Sequence, residues 1–481
     1  MAKLTDIPKT FVRGIASSWI SMIGAIAVTV VFPFLAGTLL YDTFLHIENP
    51  YVSGFIYMIL GPAFIGGLVL IFIGLFFARG KEEVRIFALA YIRDKLSDEA
   101  NYNRIRSLIF VGIFLTAVNV IVVGVLAYSG YHYMESNAFC GEVCHVPMTP
   151  EYTAYQNSAH SRVNCVECHI GSGASWFVKS KISGARQLVA VVADTFARPI
   201  ETPVHGLRPA RDTCEQCHRP EKFYGDRLKI KHKYRSDENN THVQTVMLIK
   251  VGSPGELATS SHGIHWHVAP ENEITYTAAD WERKTIPEVT LKTGAEGDVT
   301  YRSPEAEQQI AEATSLQQRT MDCIDCHNRP SHVYKTVDQA LDNKIFTNEI
   351  PQDLPYVKRE AKKVVNQEYR TQGEARTAID EALRGFYQEE YPKIYENQQD
   401  LVNQAIAGTR AAYVENVFPE MNIQWGTYTN NISHDGCWRC HNYEHATEGG
   451  DVIAMDCNTC HTILAEEEED PEVIRELLGN Q

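Results

Sequence analysis

Every cysteine in the chain belongs to a pair closed by a histidine. The pairs are Cys140/Cys144-His145, Cys165/Cys168-His169, Cys214/Cys217-His218, Cys323/Cys326-His327, Cys437/Cys440-His441 and Cys457/Cys460-His461. The last five read C-x-x-C-H, the attachment signature of a c-type haem, and the first, C-x-x-x-C-H, is one residue longer. In such a motif two thiols add across the haem vinyl groups, and the adjacent His supplies an axial nitrogen to the iron. Twelve cysteines therefore predict six covalent haems with none left over. A zinc site would join two C-x-x-C halves or add spaced histidines, and a disulfide framework gives no reason for the trailing His.

The formal net charge is −16, which argues against nucleic acid as a partner. Three stretches, 14–41, 49–78 and 107–134, carry no formal charge. Each exceeds the ~20 apolar residues needed to cross a bilayer core. They predict three transmembrane helices in an anchor over 1–131. The link after the second stretch holds Arg79, Lys81, Arg85, Arg93, Lys95, Arg104 and Arg106, whereas the link after the first holds no Lys or Arg. The positive-inside rule then puts the N-terminus in the cytoplasm and everything beyond about 131 on the periplasmic side of a bacterial inner membrane. Haem attachment, which takes place outside that membrane, predicts the same side for all six motifs.

The predicted fold is mainly α. After the anchor, 132–225 holds three motifs with too little chain between them for an ordinary apolar core, so the haems themselves pack it. Strand-like runs at 243–250, 264–268 and 288–292 predict a small β-rich insertion over 226–303. Interleaved charged and apolar residues predict a helical three-haem domain over 304–481. The acidic run 466–470 reads as a solvated end, with docking as the alternative.

Low-spin electron-transfer haems need a second axial ligand, usually His or Met. His160, His205, His332 and His434 sit close before or after a motif, and each is a candidate. His265 and His267, two apart in a strand-like run, share one face, and one of them is a candidate. Met148, three residues after His145, is a candidate ligand of the first haem.

These residues resemble the NapC/NirT/NrfH family of membrane-anchored multihaem quinol dehydrogenases. The likeness rests on FCGEVCH with Met148, on Ser158-Ala-His160 before CVECH, and on Arg211-Asp-Thr before CEQCH. The overall layout is similar to longer family members from metal-respiring bacteria. The resemblance implies oxidation of menaquinol at the outer membrane face, with electrons passing to periplasmic or outer-membrane-directed cytochromes. It also implies a Lys and an Asp beside the quinol, which Lys181, Lys179 and Asp194 match approximately. Two other functions remain open: a haem-bearing subunit of a larger respiratory or photosynthetic complex, and a catalytic multihaem reductase. The reductase would need an open iron position, and all six motifs keep their His.

Overall fold

The computed structural model describes residues 14–45, 60–78, scattered positions from 106 to 128, and 131–479 apart from 144, 172–173, 205–207, 220–224, 253–262, 270–271 and 293–296. The chain forms two compact units, Met1–His145 and Val146–Gln481.

In the first unit, α1 (Trp19–Leu45) lies against α2 (Gly61–Ala78). Small residues permit the approach. A Cβ on Gly74 would run into the backbone of Ser21, and one on Gly24 would meet the carbonyl of Gly67. The buried Ser21 hydroxyl donates to the Ile15 carbonyl at 2.7 Å. The expectation of three transmembrane helices is corrected here. Among the described residues, no helix is long and apolar enough to cross a membrane. An uncharged run counts residues, not continuous apolar helix. Of the stretch 49–78, the described helix covers the 18 residues of α2, about 27 Å at ~1.5 Å per residue. Helix α1 carries Pro33 inside and Asp42 in its last turn.

The second unit is mainly helical with two sheets. Its first helices are short and irregularly joined: α3 (His145–Gln156), α4 (Cys165–His169), α5 (Ala174–Val192) and α6 (Ala210–Cys214). Strands β1 (Asp226–Tyr234) and β2 (His242–Lys250) form an antiparallel hairpin. A 3₁₀ helix follows at Ile264–Val268, where the sequence reads as strand. Strands β3 (Glu273–Ala278), β4 (Glu288–Lys292), β5 (Val299–Arg302) and β6 (Gln317–Thr320) make a sheet in the order β5-β4-β3-β6.

The next segment is a helix cluster with an ordinary apolar core. After α7 (Cys323–Cys326), it comprises α8 (Val337–Phe346), α9 (Val357–Val365), α10 (Gln372–Glu390) and α11 (Gln399–Val414). Ala375, Ile379, Leu383 and Tyr387 recur every fourth residue on α10 and are fully buried. They pack with Leu341, Ile350, Leu354, Ile406 and Tyr413. Thr336 opens α8 with a capping box to Gln339, and the Thr371 hydroxyl caps α10. Tyr234 of β1 joins this core, and Lys358 bonds both the Tyr234 carbonyl and Asp342, tying the hairpin to the helices.

The chain closes with α12 (His434–Cys437), α13 (Cys457–Cys460) and β7 (His461–Glu468). Strand β7 pairs antiparallel with β2, so the sheet order is β1-β2-β7. The acidic run is thus partly strand: Glu467 pairs with Lys233 at 2.6 Å and Glu469 with Arg235 at 3.4 Å.

Candidate metal centres

Among the described residues, five motif histidines face a second histidine. His169 faces His332 at 6.1 Å between ring centroids, and His218 faces His160 at 6.0 Å. His327 lies 6.4 Å from His265 with the rings nearly parallel, His441 lies 5.7 Å from His267, and His461 lies 6.0 Å from His434. Two imidazoles on opposite sides of one metal ion, each bonded at ~2 Å, have centroids about 6 Å apart. The Nε2 atoms of His441 and His267 point at each other at 3.4 Å, slightly closer than an intervening iron requires. Among the described residues no three His, Cys, Asp or Glu side chains converge as a metal cluster, so the recurring unit is the pair.

The second ring nitrogen explains how these rings are aimed. His332 Nδ1 bonds the Glu151 carbonyl at 2.9 Å, and His160 Nδ1 bonds that of Pro330 at 3.2 Å. His265 and His267 use Nδ1 on the Val251 and Ile264 carbonyls, and His441 uses it on that of Ala454. With Nδ1–H donated to a carbonyl, Nε2 is left holding the lone pair. Burial lowers the pKa of His169, His265, His267 and His327, which keeps these rings neutral and able to ligate. His332 is held further. Arg329 donates from Nε to its carbonyl at 2.7 Å and from Nη2 to both Glu151 oxygens at 2.9 Å.

The 3₁₀ helix has a consequence for the two histidines it carries. In a strand, residues two apart share a face; at ~3.0 residues per turn they point about 120° apart. His265 and His267 therefore diverge, and each meets a different motif, His327 and His441. The sequence reading that placed both on one face of a strand is corrected. Gly263, at φ 79 and ψ −170, sets the entry to this helix.

Burial pushes the Cys326 thiol up to about 11 and Cys440 up to about 12, and raises Cys168, Cys437 and Cys460 as well. Cys323 is lowered, by a hydrogen bond from Cys214.

The motifs are neighbours in chain order. Cys168 feels Cys217, and Cys214 feels Cys168 and hydrogen-bonds Cys323. Cys326 feels Cys437, and Cys460 feels Cys437 in turn. Arg439, inside the fifth motif, donates to the Asp325 carbonyl at 2.7 Å and the Arg283 carbonyl at 2.8 Å, bolting the fifth motif to the fourth. The Asp325 carboxylate, itself buried, accepts from Tyr276 at 2.5 Å and Arg283 at 3.1 Å.

The remaining candidates fall elsewhere. Cys144 and His205 lie outside the described residues. Met148 sits three positions after His145 on α3, so the two positions share a helix face. Lys179 lies over the Trp176 ring at 4.4 Å, and Asp194 pairs with Arg198 at 2.5 Å. Lys179 and Lys181 are two apart on α5 and point to different sides. Among histidines outside the pairs, His232 bonds His242 at 3.0 Å. His445 spends both nitrogens on Asn442 and the Ile286 carbonyl. The Nδ1 acceptors and the Arg329–Glu151 clamp escaped the sequence reading, because neither carries a local signature.

Residues 102–205 match the NapC/NirT cytochrome c family, N-terminal region. The chain is 38% identical over 455 residues to the cytochrome c-type protein ImcH of Geobacter sulfurreducens, covering 94% of this chain and 88% of that one. Over 109 residues it is 29% identical to the cytochrome c-type protein NrfH of Wolinella succinogenes, covering 22% of this chain and 61% of the relative. No solved structure matches.

Proposed function

The chain belongs to the NapC/NirT cytochrome c family, in its long ImcH-like form, and from that premise we propose that it oxidises menaquinol and passes the electrons through six haems to a periplasmic acceptor. Family membership carries the coarser part: this is an electron-transport protein with covalently bound c-type haem. The observation that supports the rest is the set of five facing histidine pairs at 5.7–6.4 Å, on motifs that adjoin one another in chain order.

We assign His169/His332, His218/His160, His327/His265, His441/His267 and His461/His434 as axial pairs, and the Cys of each motif as the thioether anchors. The haems supply one-electron carriers. With haem bound, both histidines of each pair would ligate the iron, which would favour electron transfer over binding of a small substrate there. At the first motif, His145 and Met148 share a helix face, so we take them as alternatives for one axial side. The place of work is the periplasmic face of the inner membrane, where menaquinol is within reach.

Quinol oxidation releases two protons with its two electrons, so a nearby group must accept them. Lys181, Lys179 and Asp194 are our candidates. Since the two lysines point apart and Lys179 rests on Trp176, Lys181 is the first choice. The Lys179→Met/Lys181→Met double variant should slow reduction by a menaquinol analogue about tenfold or more while dithionite reduction stays intact. Unchanged quinol kinetics would remove both lysines from the mechanism.

A further inference from the structure

We propose that electrons leave at the sixth motif, and that the apolar, acidic face around it docks a lysine-rich redox protein. This rests on the reading of the chain as an electron conduit. The third motif's helix α6 touches those of the second and fourth, Arg439 ties the fifth motif to the fourth, and His434 beside the fifth faces His461 of the sixth, so the Cys457/Cys460 motif ends the series. Its surroundings are open. Cys457 is exposed, and residues 454–459 around it are all solvent-facing. Trp438, 48% exposed, stacks on His434 at 4.6 Å and 3°, so an indole covers the ring that faces His461. Ile463 and Leu464, on the edge strand that starts at His461 itself, are also exposed, as is Met455.

The occupant follows from charge. Residues 431–481 hold twelve Asp and Glu against two Arg, a net of −10 out of the chain's −16. Of the two arginines, Arg439 is turned inward onto carbonyls and Arg475 pairs with Asp470. Cations from other segments reach Glu448, Glu467 and Glu469, and Lys250 bonds the Asn458 carbonyl. Asp435, Asp451, Asp456, Glu466 and Glu468 still present carboxylates on exposed residues of the same segment. An exposed apolar centre rimmed by one sign of charge selects a partner of the opposite sign and steers its approach. The transfer itself is one electron, from ferrous iron at the sixth site to ferric iron in the partner, with no bond or proton exchanged.

The test uses the full holoprotein, reduced with dithionite so that quinol plays no part. The probes are lysine-rich mitochondrial cytochrome c and its lysine-succinylated form. Binding is measured by titration at low and high salt, and carbodiimide coupling joins carboxylates to lysines for mapping by mass spectrometry. The expected result is coupling within 431–481, and a dissociation constant raised tenfold or more in Glu466→Lys/Glu468→Lys. Glu466→Gln/Glu468→Gln should show a smaller effect, and haem spectra should be unchanged in both. The succinylated probe should bind at least tenfold more weakly than the native one. Coupling confined to residues before 431, or equal affinity for both probes, would overturn the proposal. If the dithionite-reduced protein passes electrons to the probe but quinol cannot load it, the quinol reading fails and this one stands.

Discussion

Gly263→Ala tests the histidine geometry without touching a proposed ligand. Gly263 occupies φ 79 and ψ −170, a region reserved almost entirely for glycine, where another residue costs about 1–3 kcal/mol. A Cβ there would also collide with the Lys250 carbonyl and the Gly252 backbone, neither of which is a flexible side-chain end. At ~1.4 kcal/mol per factor of ten, even the upper conformational figure alone shifts the local equilibrium by about a hundredfold. The displaced element is the 3₁₀ helix that carries both His265 and His267. The expected outcome is therefore two haems, not one, gaining high-spin character in electron paramagnetic resonance, with the haem count unchanged. His265→Ala should convert one. A Gly263→Ala protein with a fully low-spin spectrum and unaltered melting temperature would refute the reasoning.

Other outcomes follow from the same geometry. Intact-protein mass should exceed the polypeptide by six haems, and Cys140→Ala/Cys144→Ala should lower it by one; an excess of five in the parent would exclude the longer first motif. His434→Ala should leave one haem high-spin, and added imidazole should restore the low-spin spectrum; no spectral change would remove His434 as a ligand. Glu151→Ala strands Arg329, 6% exposed, without its carboxylate, for a loss of about 3–5 kcal/mol in chemical denaturation, together with loosening of His332. Glu151→Gln should lose less, because its side-chain oxygen still accepts from Arg329.

The attachment motifs are legible because their chemistry is local: two thiols and a ring must lie within six residues. The facing histidines are legible only as candidates. His160, His332 and His434 stand near motifs in sequence, yet each faces a motif other than its neighbour, and nothing local encodes that choice. Ile264–Val268 reads as strand because branched and aromatic residues dominate it. Gly263 and the return bonds from Trp266 and His267 to Gly263 and Ile264 wind it into a turn instead. The membrane-span expectation failed for a related reason, since absence of charge is a property of composition and helix continuity is not. The helix cluster from 337 to 414 was foreseen as helical from its periodicity, and its caps at Thr336 and Thr371 are ordinary sequence signals.

The crossed pairing of histidines bears on how such a chain matures. His267 and His441 are 174 positions apart, and His332 must travel back to meet a motif near residue 169. A chain emerging from its N-terminus presents its second motif long before the residue that faces it. On the proposed ligation only the second motif must wait, since His332 follows the fourth motif, whereas His160, His265, His267 and His434 precede the motifs they face. A chain cut before His332 would leave the second site without its facing ring, whereas one cut before His434 would lose only the fifth and sixth sites. The arrangement makes the segment that ends at His332 the checkpoint on the second site, and products cut short of it should be recognisable by that one incomplete site.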